Sequence, residues 1–251
     1  MRPLVMLHSN PGSSAMLVPL MQHLASDRPL LAPDTPGLGD STPLPLAAPE
    51  IADFAAATLA ALDELGVTEF DLYGTHTGAN MAVEIALARP RQVRHVVLDA
   101  IALYSPQLRE DLLAHYAKPF PPDLEGRQLL RVWHFVRDQW VFWPWFRRDA
   151  AHRREVGLPD AKFLHEVVID VLKASTTYHL AYRASFVYPK EERLPLLRCP
   201  VLMACPANDI FFPDFERVTA LVPAAEMTVI RGIGEAALAD AARLFRGFLD
   251  R

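Results

Sequence analysis

Phe70-Asp71-Leu72-Tyr73-Gly74-Thr75-His76-Thr77-Gly78-Ala79 carries a short apolar run into a Gly-x-His-x-Gly turn and out into a helical pattern. The helix extends from Ala79 to Ala88 and is stopped by Pro90. A strand, a sharp glycine-flanked turn and a helix form half of a βαβ unit, and the same alternation continues in both directions. Upstream, Leu4-Val5-Met6-Leu7 reads as a strand and Ala15 to Leu24 as a helix. Pro29 to Pro33 reads as a second strand and Pro49 to Leu65 as a helix closed by Gly66. Downstream, Val93 to Leu98, Pro200 to Cys205 and Met227 to Ile230 read as strands, and Ala236 to Leu249 as the closing helix. Runs apolar on both faces fit a parallel sheet covered on both sides. Strands alternating with helices imply right-handed crossovers. The expected fold class is α/β, with a mostly parallel sheet of about six strands and helices on both faces.

One long stretch breaks the alternation. Residues 102–194 are helical in pattern and rich in aromatics, and all four tryptophans (Trp133, Trp140, Trp143 and Trp145) fall inside it. We read it as a helical cap inserted into a core made of residues 1–101 and 195–251. Most of its aromatic residues should pack against one another, and some should line a pocket.

Composition narrows the classes. The chain has 251 residues, 51% hydrophobic and 22% charged, which suits a globular domain with a sizeable core and excludes disorder as its main state. The net charge is −5 with no basic run, so nucleic acid is not an expected partner. No apolar stretch is long enough to cross a membrane. Met1-Arg2-Pro3 leads directly into a strand, unlike a signal peptide. Cys199 and Cys205, in one extended segment, would lie about 20 Å apart, too far for a disulfide. These readings together give a cytoplasmic protein acting on a small molecule, apolar or aromatic by the composition of the insertion. No cofactor is expected, and the oligomeric state stays open.

Two further stretches accompany the Gly-x-His-x-Gly turn: Leu7-His8-Ser9-Asn10-Pro11-Gly12-Ser13-Ser14, and Pro33-Asp34-Thr35-Pro36-Gly37-Leu38-Gly39-Asp40-Ser41. Together the three resemble the α/β-hydrolase superfamily over nearly the whole chain. The first resembles the loop that supplies part of the oxyanion hole. The second resembles the Asp-x-Pro-Gly-x-Gly-x-Ser loop, and the third the nucleophile elbow. The chain starts close to its first matched strand, without the N-terminal hairpin that many members carry. The resemblance implies the α/β-hydrolase fold, with an acid at Asp209 and a catalytic base at Glu235. It also implies a departure. His76 stands where Ser, Cys or Asp would be the nucleophile, and Glu235 stands where a histidine would be the base. A mechanism that needs a hydroxyl to attack and an imidazole to take its proton is therefore absent.

The three residues His76, Asp209 and Glu235 are expected to meet at the carboxyl ends of the strands. There they would form an acid–base cluster with a raised His76 pKa. Backbone N–H groups of Thr77 and of Ser9 or Asn10 should form an oxyanion pocket, with the Asn10 side chain turned inward. Three readings follow. The first is an enzyme working by activated water, or by lyase or isomerase chemistry. The second is a non-catalytic binding protein on the same scaffold. The third is a metal site made from these three residues, which no metal-ligand spacing supports independently.

In the insertion, Trp133, His134, Trp140 and His179 are candidates to line the pocket. Arg147, Arg148, Arg153 and Arg154 form either a solvated helix face or an entrance for an anionic substrate. His8 and Asp34 are read as structural, Asp99 as an alternative acid, and His23, His95 and His152 as surface residues.

Overall fold

The computed structural model describes residues 2–251; Met1, part of the N-terminal reading, lies outside them. Six strands form one parallel sheet in the order β2-β1-β3-β4-β5-β6. They are β1 (Leu4–Leu7), β2 (Leu30–Leu31), β3 (Phe70–Thr75), β4 (Val93–Asp99), β5 (Val201–Pro206) and β6 (Glu226–Ile230). Helices α1 (Val18–Leu24), α2 (Ile51–Glu64) and α3 (Thr77–Ala88) connect the first four strands. Between β4 and β5 lie α4 (Pro106–His115), α5 (Arg127–Val141), α6 (Ala161–Lys173), α7 (Tyr178–Val187) and the short α8 (Lys190–Arg193). Then α9 (Phe215–Thr219) joins β5 to β6, and α10 (Glu235–Leu249) closes the chain. Among the described residues, no helix is long and apolar enough to cross a membrane.

The two-residue period of a strand divides the core. In β1, Val5 and Leu7 face one side, packed with residues of α2, α3 and the helices after β4. Leu4 and Met6 face the other, against α1 and α10. The double coverage explains why these strands read as continuous apolar runs.

Several charged groups in this core are paired. At the start of β3, Asp71 is buried against Arg28, Arg2 and His95. His95, expected at the surface, is buried because Asp71 draws its Nδ1 to 2.9 Å. Glu84 of α3 accepts from the Tyr188 hydroxyl at 2.6 Å and from Arg193 Nε and Nη2 at 2.7 and 2.8 Å. These bonds fix the end of the helical segment to the sheet's helix layer.

Lys190 is held without a charged partner among the described residues. Its Nζ is buried, donates to the Ser185 carbonyl at 2.9 Å and sits 4.9 Å from the Tyr104 ring centroid. No carboxylate pairs with it among the described residues, and burial pushes its pKa down to about 7. An unfolded lysine holds its proton to a much higher pH, so between these values the unfolded chain binds more protons. Stability should therefore rise with pH from about 7 toward 10. Lys190→Met is expected to be more stable than the parent at pH 7, by on the order of a few kcal/mol, with the gap narrowing toward pH 10. Urea unfolding of both proteins at pH 7 and pH 9.5 checks this.

Candidate active site

The turn after β3 is sharp because two glycines permit it. A Cβ on Gly74 would lie 2.3 Å from the Gly78 carbonyl oxygen, and one on Gly78 would lie 2.2 Å from that of Leu7. Between them His76 takes φ 51° and ψ −110°, a strained conformation for a residue with a side chain. The strain presents the imidazole beyond the carboxyl end of the sheet.

There it meets a carboxylate. His76 Nε2 lies 3.2 Å from Asp209 Oδ2, with the side chains 30% and 15% exposed. Asp209 follows β5, and its Oδ1 accepts from the Phe211 N–H at 2.9 Å, which sets its orientation. Burial opposes a charge on His76, but the Asp209 carboxylate, with Asp99 behind it, outweighs that and raises the imidazole pKa. Burial likewise works against ionised Asp209, and His76, the Phe211 N–H and Arg154 together bring its pKa below the usual carboxylate value. The two shifts agree on an ion pair when His76 is protonated.

Asp99, the alternative acid, sits one layer deeper. Its carbonyl accepts from the His76 N–H at 3.0 Å, and its Oδ2 accepts from the Tyr73 hydroxyl at 2.8 Å. Burial pushes its pKa up to about 6. Asp99 does not line the cavity at the dyad. His8 and Asp34 are structural, as expected. His8 Nε2 accepts from the Thr35 N–H at 2.9 Å, which leaves its Nδ1 to donate to the Ser9 carbonyl at 2.8 Å. Asp34 ties two loops by accepting from the N–H groups of Ser14 and Asp40.

His76 and Asp209 open into a cavity of about 350 Å³. Its floor comes from loops after the strands, including Ser9, Asn10 and Thr77. Its far wall comes from the segment between β4 and β5, including Trp140, Trp143 and Tyr182. Among the described residues, the N–H groups of Ser9 and Asn10 have no partner, and that of Thr77 is a free donor of the first turn of α3. The Asn10 side chain is not such a donor, because its amide nitrogen is committed to the Tyr178 carbonyl at 2.9 Å.

Several expected residues lie elsewhere. Glu235 is not in the cluster: it begins α10, is 79% exposed, and its Oε1 pairs with His23 Nε2 at 2.9 Å. The loop before it turns on Gly232 and Gly234 at positive φ, and the chain enters α10 with this side chain directed at the end of α1. With Glu235 gone, the three-residue metal set is dispersed. Among the described residues, no group of three or more His, Cys, Asp or Glu side chains is arranged to hold a metal. Of the candidates in the insertion, Trp140 lines the cavity, whereas Trp133, His134 and His179 do not. On α5 the inward positions are Val136, Gln139 and Trp140, spaced as one helix face, which turns His134 away. On α7 the inward residues are Tyr182, Ser185 and Phe186, and His179 is on another face. Residues that sequence reasoning missed include Tyr104, Phe163 and Phe211. Phe211 stands two residues from Asp209, and its ring centroid is 5.3 Å from that of His76.

Comparison with known proteins agrees with the fold. The chain is 34% identical over 142 residues to 2-hydroxymuconate semialdehyde hydrolase of Pseudomonas sp. (strain CF600), covering 54% of this chain and 49% of that one. The chain thus spans about half the length of the curated relative it matches. Among solved structures, the enol-lactonase from Burkholderia xenovorans LB400 superposes with a TM-score of 0.75 at 16% identity, covering 100% of this chain and 92% of that one. A thermophilic esterase from Thermogutta terrifontis gives 0.72 at 17%, covering 100% and 90%. At these identities the likeness is one of fold. The description "alpha/beta hydrolase fold" matches residues 2–143, which include the loop after β1, the elbow and the first four strands. Over half of its length, and in the topology of its whole sheet, this chain therefore belongs to the alpha/beta hydrolase fold family.

Proposed function

We propose that this chain is a small-molecule hydrolase in which His76, paired with Asp209, acts as general base on water and replaces the nucleophilic serine. The observation that carries the reading is the 3.2 Å His76–Asp209 contact at the tip of the elbow, opening into an aromatic-walled cavity. With Nε2 directed at Asp209, Nδ1 is the nitrogen left to take a proton from water. The hydroxide so formed attacks a substrate carbonyl. The developing oxyanion is met by the N–H groups of Thr77 and of Ser9 or Asn10. The imidazolium, stabilised by Asp209, then returns the proton to the leaving group. Residues 102–194 serve as a cap that limits access of bulk water to this step.

General-base action needs unprotonated His76, whose pKa lies above the ordinary 6.5. Turnover should therefore rise with pH through that raised value. A suitable panel is p-nitrophenyl acetate, an enol lactone and 2-hydroxymuconate semialdehyde, the last taken from the relative's name. The wild-type protein is expected to hydrolyse at least one of them while its intact mass is unchanged by a fluorophosphonate probe. Stoichiometric labelling of a serine or threonine in the cavity would contradict the proposal. The exposed position of Glu235 supports a second reading, a binding protein on the same scaffold. Tight binding of panel members with no turnover at any pH would favour that reading.

A further inference from the structure

The four neighbouring arginines of the insertion differ in how their charge is used. Arg147 pairs with Asp111 at 2.6 Å and Arg148 with Asp138 at 2.8 Å. Arg153 is exposed, and its backbone bridges to Phe142. Arg154 alone lines the cavity, where it is the only arginine or lysine. No carboxylate lies within ion-pair distance of it among the described residues, while Asp111 and Asp138 neutralise Arg147 and Arg148. Its position is held. Nη1 donates to the Gln139 carbonyl at 2.6 Å, and the guanidinium carbon lies 5.7 Å from the Trp140 ring centroid. One donor is thus committed to the backbone, and among the described residues the remaining N–H groups of the fork have no acceptor.

A partly buried, unpaired guanidinium is costly unless something completes its hydrogen bonds. The cavity is apolar around it, through Trp140, Trp143, Phe163 and Val167, and opens on His76. Arg154, His76 and Asp209 line the same cavity, so an anion bound by Arg154 would share it with the dyad.

We propose that Arg154 is the anion-binding residue of this cavity, which takes small organic carboxylates whose apolar or aromatic body packs on Trp140 and Trp143. The carboxylate accepts two parallel hydrogen bonds from the guanidinium fork, and the body of the molecule extends toward His76. The assignment rests on the cavity being the substrate site, as proposed above, but it concerns recognition and can be tested without turnover. The probes are 3-phenylpropionate and its uncharged amide, 3-phenylpropanamide, with binding followed by tryptophan fluorescence and by calorimetry. The wild-type protein is expected to bind the carboxylate at least about tenfold more tightly than the amide, as a charge-assisted pair should. Arg154→Gln should bind both equally, with unchanged melting behaviour, and Arg154→Lys should keep part of the preference. His76→Ala should retain the full preference, so a failed hydrolase reading would leave this result standing. Equal binding of the two probes by the wild-type protein, binding of neither, or a preference that survives Arg154→Gln overturns the assignment.

Discussion

His76→Ala should lower kcat/KM by about 10²- to 10⁴-fold, the usual contribution of a positioned general base. The fold should survive. His76 occupies a turn tip, its side chain makes one contact with a charged partner, and Asp209 keeps the Phe211 N–H as a donor. Loss of that contact should lower stability by about 1–3 kcal/mol. His76→Ser should be no better than His76→Ala. A serine there would have no imidazole within reach, since His8 has both nitrogens bonded and His134 and His179 face away from the cavity. Adding Glu235→His should not rescue it, because residue 235 points toward His23. Steady-state kinetics on whichever panel ester or lactone is turned over, with circular dichroism melts, check these expectations. An active His76→Ala variant would remove the imidazole from the mechanism.

Asp71→Ala should be the most damaging substitution for stability, at about 3–5 kcal/mol. Asp71 and Arg28 have side chains only 1% and 3% exposed, with Oδ2 and Nη1 3.2 Å apart. The same carboxylate takes Arg2 Nε at 3.5 Å and His95 Nδ1 at 2.9 Å. Arg28 also pairs with Asp250 at the end of the chain. Removing Asp71 leaves Arg28 charged in the interior with only that partly exposed carboxylate to balance it. Replacing both partners by apolar residues should cost less than removing either one, because the penalty comes from the orphaned charge. Urea denaturation of Asp71→Ala and of the Asp71→Leu/Arg28→Met double variant makes the comparison. A single-variant loss below about 1 kcal/mol would mean that Arg28 finds water instead.

The fold was legible because it is written in periodicities. Each strand buried on both faces is a run such as Leu4-Val5-Met6-Leu7, and each crossover is closed by a stop such as Gly66 or Pro90. Gly74 and Gly78 flag the elbow because the main chain passes too close there for any side chain. Asp209 came from the family resemblance, and its place beside His76 follows because a residue just past a parallel strand has little freedom to leave the sheet's edge. Glu235 shows the limit of that reasoning. Its position after β6 was readable, but its direction depends on Gly232, Gly234 and the attraction of His23 on α1, which is distant in sequence. The insertion misled for a related reason. Trp133, His134 and His179 belong to aromatic runs, but which helix face turns inward depends on what packs across it, and that is not local. Arg154 was seen as one of four similar residues. Only the placement of Asp111 and Asp138 distinguishes it, by neutralising two of its neighbours.

The charge coupling between His76 and Asp209 is the central claim, and an NMR titration of ¹⁵N-labelled histidine reads it directly, with His76→Asn assigning the resonance. His76 should titrate above 6.5 in the wild-type protein. Asp209→Asn should bring it below that value, because the burial that opposes its charge remains once the carboxylate that favours it is gone. A His76 that titrates at or below 6.5 in the wild-type protein, and is unmoved by Asp209→Asn, would contradict the dyad and the mechanism built on it.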